Sequence, residues 1–327
     1  MPLLSEQVLK QYTRCLMKEV RQRALSLPGI KIKTIYFGGG TPSLLTSKQM
    51  IGILEQIYKF FNLEDNIEIS LEANPATLNR NLLNEYMKAG INRISLGVQS
   101  FNDEELEILG RSHNCKQVVS TIDLIKSAGV DNFNLDLIYG IPGQSIDKWL
   151  TNLYMAIETN PTHISTYLLQ LDSSTPLASE INLGKLHMLG EETELNMYYK
   201  GINLLESYGY THYEISNFAR TGYECRHNLV YWKADEYLGI GCGAVSFINN
   251  KRTINVPNIR AYLHDLHVSN KWKIEELEAM SRSELIGDAL ILGLRLCRGI
   301  NIEQFNQRFH IDMYQDYKDI IDKLINR

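Results

Sequence analysis

The densest chemistry in this sequence lies within eight residues. Cys225-Arg226-His227-Asn228-Leu229-Val230-Tyr231-Trp232 brings together a thiol, a guanidinium, an imidazole, an amide, a phenol and an indole. His227 can ligate a metal or a haem iron. Tyr231 and Trp232 can stack on a flat aromatic ligand. Cys225 stands two residues before His227. In an extended segment both side chains would face one way, and the thiol could serve as an auxiliary ligand. The competing reading is a buried turn in which His227 only makes hydrogen bonds.

Two further sets of residues suit ligand binding. Gly38-Gly39-Gly40-Thr41 lets the backbone approach a ligand closely and present its N–H groups. The run matches neither GxxxxGK[ST] nor GxGxxG, so a phosphate loop, an amino-acid loop and a plain tight turn all stay open. Glu72, Gln99, Arg111 and Asp136 recur at or just after successive strand-like segments. Such an array can bind a zwitterion that carries a ribose: carboxylates accept from ammonium and hydroxyl groups, and arginine pairs with a carboxylate. The plainer reading is that these side chains cap helices and satisfy loop backbone. Gly239-Ile240-Gly241-Cys242-Gly243-Ala244 is a second glycine-rich turn, read as close backbone packing.

The elements that must position these residues alternate. Strands are predicted at Thr34–Phe37, Ile67–Leu71, Arg93–Val98, Phe133–Ile138, His163–Leu169 and Tyr213–Phe218. Helices are predicted at Leu4–Leu25, from an N-cap at Ser47 to about Phe60, at Asn79–Ala89, from about Asp103, and at Cys115–Ala128, Ser145–Glu158 and Glu191–Tyr208. Strands alternating with long helices imply parallel βα units in a sheet buried on both faces. The candidate residues sit at strand ends, the edge that carries chemistry in (β/α) barrels; a doubly wound open sheet would share the pattern. After about Asn250 the texture turns helical, with Asn258–His267, Ser281–Leu296 and a third helix near the C-terminus.

The 327 residues suffice for one large domain with a small appendix. The net charge of −5 argues against a nucleic-acid partner. No apolar run reaches the length of a membrane span, and Met1 to Gln7 lack a signal-peptide layout. A cytoplasmic location is the expectation. The five cysteines are scattered, with no CxxC or CxxxC pair, and read as free thiols that form no metal site.

The strings FGGGTPSLL, EANP, NRISLGVQSFNDEELEILGRSH and NFNLDLIYGIPGQ resemble the radical S-adenosylmethionine (SAM) superfamily. More narrowly they are similar to the oxygen-independent coproporphyrinogen III oxidases and their haem-chaperone relatives. YEISNFAR, GYECRHNLVYW and YLGIGCGA resemble the haem-chaperone branch, HemW. The likeness spans roughly Leu4 to Gly299. It implies a partial (β/α)6 TIM-like barrel that binds SAM at the strand C-termini. Gly39, Gly40 and Thr41 would contact the methionyl part, and Glu72, Gln99, Arg111 and Asp136 would line the rest. His227, Asn228, Tyr231 and Trp232 would form the haem-binding or substrate-binding element.

The activity implied is haem binding and delivery to an acceptor such as a respiratory haem protein. The alternative is a porphyrin-forming oxidase. The family also carries a [4Fe–4S] cluster on a CxxxCxxC loop after a first strand, and this chain has neither. The expected layout is a truncated barrel with its haem-motif extension at 1–250 and an incomplete helical region at 251–327. Either the natural protein is longer, with Met1 an internal start, or the chain binds SAM without reducing it. The first is expected, because the strand at Thr34–Phe37 would otherwise expose an unpaired edge.

Overall fold

The computed structural model describes residues 5–326. The chain begins with α1 (Glu6–Ser26), β1 (Lys31–Phe37), α2 (Ser47–Phe60), β2 (Asn62–Ala73), α3 (Arg80–Lys88) and β3 (Arg93–Gln99). It continues through α4 (Asp103–Ile108), α5 (Cys115–Ser127), β4 (Phe133–Tyr139), α6 (Ile146–Glu158) and β5 (His163–Leu168). Next come α7 (Pro176–Asn182), α8 (Glu191–Ser207), β6 (Thr211–Glu214), β7 (Asn217–Ala219) and α9 (Arg226–Trp232). The remainder is β8 (Val245–Ile248), β9 (Lys251–Asn255), α10 (Ile259–His267), β10 (Ile274–Ala279), α11 (Arg282–Gly293), α12 (Ile302–Phe309), α13 (Met313–Asp316) and α14 (Lys318–Ile325).

Seven strands form one sheet in the order β1-β2-β3-β4-β5-β7-β6. Strands β1 to β5 run parallel, joined through helices. Side chains from all five reach a single cavity, so the sheet curls into the partial barrel that the motifs implied. Both faces are buried, but only one is apolar. Ile69, Leu71, Ile94, Leu96, Leu135 and Ile164 pack in one core with Leu54 of α2, Leu83 of α3, Ile122 of α5 and Trp149 of α6. The alternate residues, Glu68, Ser70, Arg93, Ser95, Asn134 and Ser165, are buried and polar. Each strand thus shows the two-residue alternation of a sheet, with helices on the apolar side and a polar lumen on the other.

Three local differences from the sequence reading have physical causes. The cap of α2 is Thr46, which forms a reciprocal capping box with Gln49; Ser47 is its first helical residue. The segment read as one strand at Tyr213–Phe218 is an antiparallel hairpin, with β6 ending at Glu214 and β7 starting at Asn217. The Glu214 carboxylate accepts from the Ser216 N–H at 3.1 Å and holds that turn. The region read as helical also holds a small antiparallel sheet, β10-β9-β8, with α10 inserted between β9 and β10. The glutamate-rich Ile274–Ala279 strand has low β-propensity and acquires its form by pairing with β9.

Candidate functional site

Gly40, Thr41, Glu72, Gln99, Arg111 and Asp136 come from five separate chain segments and line one cavity of about 310 Å3 inside the partial barrel. Gly39 borders it, its N–H donating to Glu72 Oε2 at 3.1 Å. The other Glu72 oxygen accepts from the Tyr36 hydroxyl at 2.8 Å. Gly38 makes this arrangement fit: a Cβ there would stand 2.6 Å from the Tyr36 ring and 2.8 Å from Glu72 Oε1. Gly97 does the same for Gln99, whose amide nitrogen would lie 2.9 Å from an added Cβ. Gln99 has φ 70°, a costly left-handed conformation, at the end of β3. Asp136 accepts from Ser95 at 3.0 Å and from Asn134 at 2.8 Å.

Burial pushes both carboxylic acids, Glu72 and Asp136, above the usual range, and their hydrogen bonds oppose the shift in part. A ligand that brings positive charge and hydroxyl donors would favour their ionised forms. These residues therefore fit an adenosyl amino acid with a sulfonium and an ammonium. They do not fit a [4Fe–4S] cluster. Among the described residues no three His, Cys, Asp or Glu side chains are placed to hold a metal ion. Cys15 and Cys225 are separately buried and Cys297 is exposed.

The His227 segment is a helix, not an extended strand. Its sequence has few strong helix formers, and the Cys225 side chain makes no cap bond. The cap comes from β2. Glu68, 7% exposed, accepts from the N–H groups of Arg226 and His227, both at 3.0 Å. A buried carboxylate at a helix N-terminus satisfies unpaired N–H groups and opposes the helix dipole. The case for Cys225 as an auxiliary ligand rested on extended backbone, which α9 replaces. Its thiol lies 3.7 Å from Glu68 Oε1, and burial pushes it up to about 11.

The helix spreads its motif residues over three environments. His227 stacks on the Tyr36 ring at 5.0 Å and 17°. Its Nδ1 meets the Thr34 hydroxyl at 2.8 Å and its Nε2 the Tyr231 hydroxyl at 3.0 Å. Burial lowers its pKa to about 4, against the opposing pull of Glu68. The ring is therefore neutral at pH 7, the form that ligates a metal, although iron would have to displace one of its two partners. Asn228 lines the barrel cavity. Trp232 faces the C-terminal helices, with the Arg295 guanidinium 4.3 Å from its ring, and its buried Nε1 lacks a hydrogen-bond partner.

Thr34, Tyr36, Glu68 and Arg93 also belong to this region and were not singled out from the sequence. The signal was present. Each stands an even number of residues from an identified residue or from another of the four: Glu68 four before Glu72, Arg93 six before Gln99, and Thr34 two before Tyr36.

The comparisons agree with this fold. A family profile for the Radical SAM superfamily matches residues 16–156, and one for the HemN C-terminal domain matches 280–327. The chain is 34% identical to the heme chaperone HemW of Lactococcus lactis over 99% of its own length and 84% of that protein's. It is 32% identical to the Bacillus subtilis HemW, covering 94% and 81% of the two chains. For the Escherichia coli HemW the identity is 36%, over 81% and 70%. Among solved structures it resembles the coproporphyrinogen III oxidase HemN from E. coli, a radical SAM enzyme. The TM-score is 0.82 at 21% identity, over 98% of this chain and 76% of that one, a likeness of fold. The chain belongs to the HemW family of the radical SAM superfamily.

Proposed function

We propose that this protein binds haem and S-adenosylmethionine and delivers haem to acceptor proteins. The reading is carried by the near full-length match to proteins named heme chaperone HemW. It is supported by the placement of α9, which sets Asn228 in the barrel cavity and His227 against Tyr36, which lines that cavity too. In this reading Gly39, Gly40 and Thr41 hold the methionyl part of SAM. Glu72, Gln99, Arg111 and Asp136 hold the remainder, and bound SAM supplies a sulfonium cation beside two carboxyl groups. His227, Asn228, Tyr231 and Trp232 form the haem element. Residues 1–250 make up the barrel with that element, and 251–327 the appended region. The acceptor is a respiratory haem protein, and the working place is the cytoplasm. Among the described residues no helix is long and apolar enough to cross a membrane.

The test is a pair of titrations, one with haem followed by Soret absorbance and one with SAM by equilibrium dialysis. The proposal predicts saturable binding of each, with haem at micromolar affinity or tighter. His227→Ala should weaken haem about tenfold or more and leave SAM nearly unchanged. Non-saturable uptake of haem, or equal affinity in the variant, would count against it.

A further inference from the structure

Arg93 has no established task in the site above. It opens β3 six residues before Gln99, and the sheet register sets it beside Ser70 of β2 and level with Tyr36 of β1, two residues below Glu72. It is 2% exposed and lines the barrel cavity. Its Nε has no hydrogen-bond partner, and among the described residues no carboxylate comes within ion-pair distance of its guanidinium. The nearby acids are engaged elsewhere: Glu68 caps α9, and Asp136 accepts from Ser95 and Asn134. Asn228 lines the same cavity, and among the described residues its side-chain amide makes no hydrogen bond. Burial disfavours its charge and Glu68 nearby offsets that cost, but the buried Nε–H is still left without an acceptor, a donor open to a ligand in the cavity.

We infer that Arg93 and Asn228 form a carboxylate seat in the barrel cavity, one alternation below Glu72 on the polar face. A guanidinium offers two parallel N–H donors to one carboxylate, and an amide adds a third. Two ligands of the proposed function carry that group: haem through its propionates and SAM through its amino-acid carboxylate. The ligand's identity rests on the proposed function, whereas the seat rests on the residues.

The test compares the wild-type chain with Arg93→Gln and Arg93→Lys, with folding checked by circular dichroism. The probes are sodium propionate against chloride at equal ionic strength, haem against its dimethyl ester, and SAM against decarboxylated SAM. Propionate should raise the wild-type Tm and leave that of Arg93→Gln unmoved, with Arg93→Lys between them. Esterification or decarboxylation should weaken wild-type binding on the order of tenfold to a hundredfold and make little difference in Arg93→Gln. Sensitivity to esterification assigns the seat to a haem propionate, and sensitivity to decarboxylation to the SAM carboxylate. If the wild type binds neither cofactor yet responds to propionate through Arg93, the seat stands and the haem-chaperone reading falls. A folded Arg93→Gln that keeps the wild-type preference for the carboxylate forms would overturn the inference. A wild type indifferent to all three carboxylates would do the same. Should Arg93→Gln fail to fold, Asn228→Asp sets a negative charge against the same ligand. It should give the same losses, and unchanged preferences there overturn the seat.

Discussion

Glu68 shows how much of this site is held from outside its own segment. Helix α9 begins where a carboxylate on β2 accepts two of its first N–H groups. Glu68→Gln keeps an acceptor and removes the charge, so we predict a loss of roughly 1–2 kcal/mol in urea unfolding, with weaker haem binding. No change in either would contradict this account of the cap. His227 adds a pH dependence. Its folded pKa of about 4 lies below the unfolded value of about 6.5. The folded state therefore binds fewer protons, and stability that is full above pH 6.5 is lost as pH falls toward 4. The effect is on the order of 2–3 kcal/mol at most. Wild type should lose stability across that window more steeply than His227→Gln, and parallel profiles would contradict this. That the candidate residues converge was legible in the sequence: Gly40, Thr41, Glu72, Gln99, Arg111 and Asp136 do share one cavity. The helix at His227 was not, because its cap is 158 positions away from Arg226. Local spacing carries no trace of such a contact.

Among the elements, the parallel strands were readable because apolar residues recur at alternate positions, as Ile94, Leu96 and Val98 do on β3. Tyr213 to Phe218 misled because the reversal between β6 and β7 is held by a buried glutamate rather than by glycine or proline. The tie between α1 and the small sheet was equally hidden. Glu19 on α1 is fully buried and accepts from Tyr262 at 2.6 Å, Asn255 at 2.7 Å and the Gly241 N–H at 3.0 Å. Arg23 approaches it at 3.6 Å. Those four partners lie on α10, on β9, in the glycine-rich turn and on α1, so one carboxylate joins the barrel to the small sheet. Glu19→Ala leaves buried donors unpaired and should cost about 3–5 kcal/mol in chemical denaturation. A loss below about 1 kcal/mol would show that the network is not what joins them.

At the scale of the whole molecule, the largest and the C-terminal of three hydrophobic clusters set the order of opening. The main core runs from Val20 to Phe218. The C-terminal cluster rests on five buried residues, Ala234, Ile286, Ala289, Phe305 and Met313, and α14 buries none of its own. Hydrogen exchange should therefore reach α14 first, then α11 and α12, and last the amides of β3 and β4. Protection of α14 equal to that of β3 would contradict this order. Delivery of haem is tested most directly by transfer. Haem-loaded protein is mixed with the apo form of a b-type cytochrome, and the cytochrome's Soret band is followed against an equal concentration of free haem. The account predicts saturable transfer from the wild-type protein that is faster than uptake of free haem. It also predicts that His227→Ala falls back to the free-haem rate. Transfer no faster than from free haem, or equally fast from His227→Ala, would contradict it.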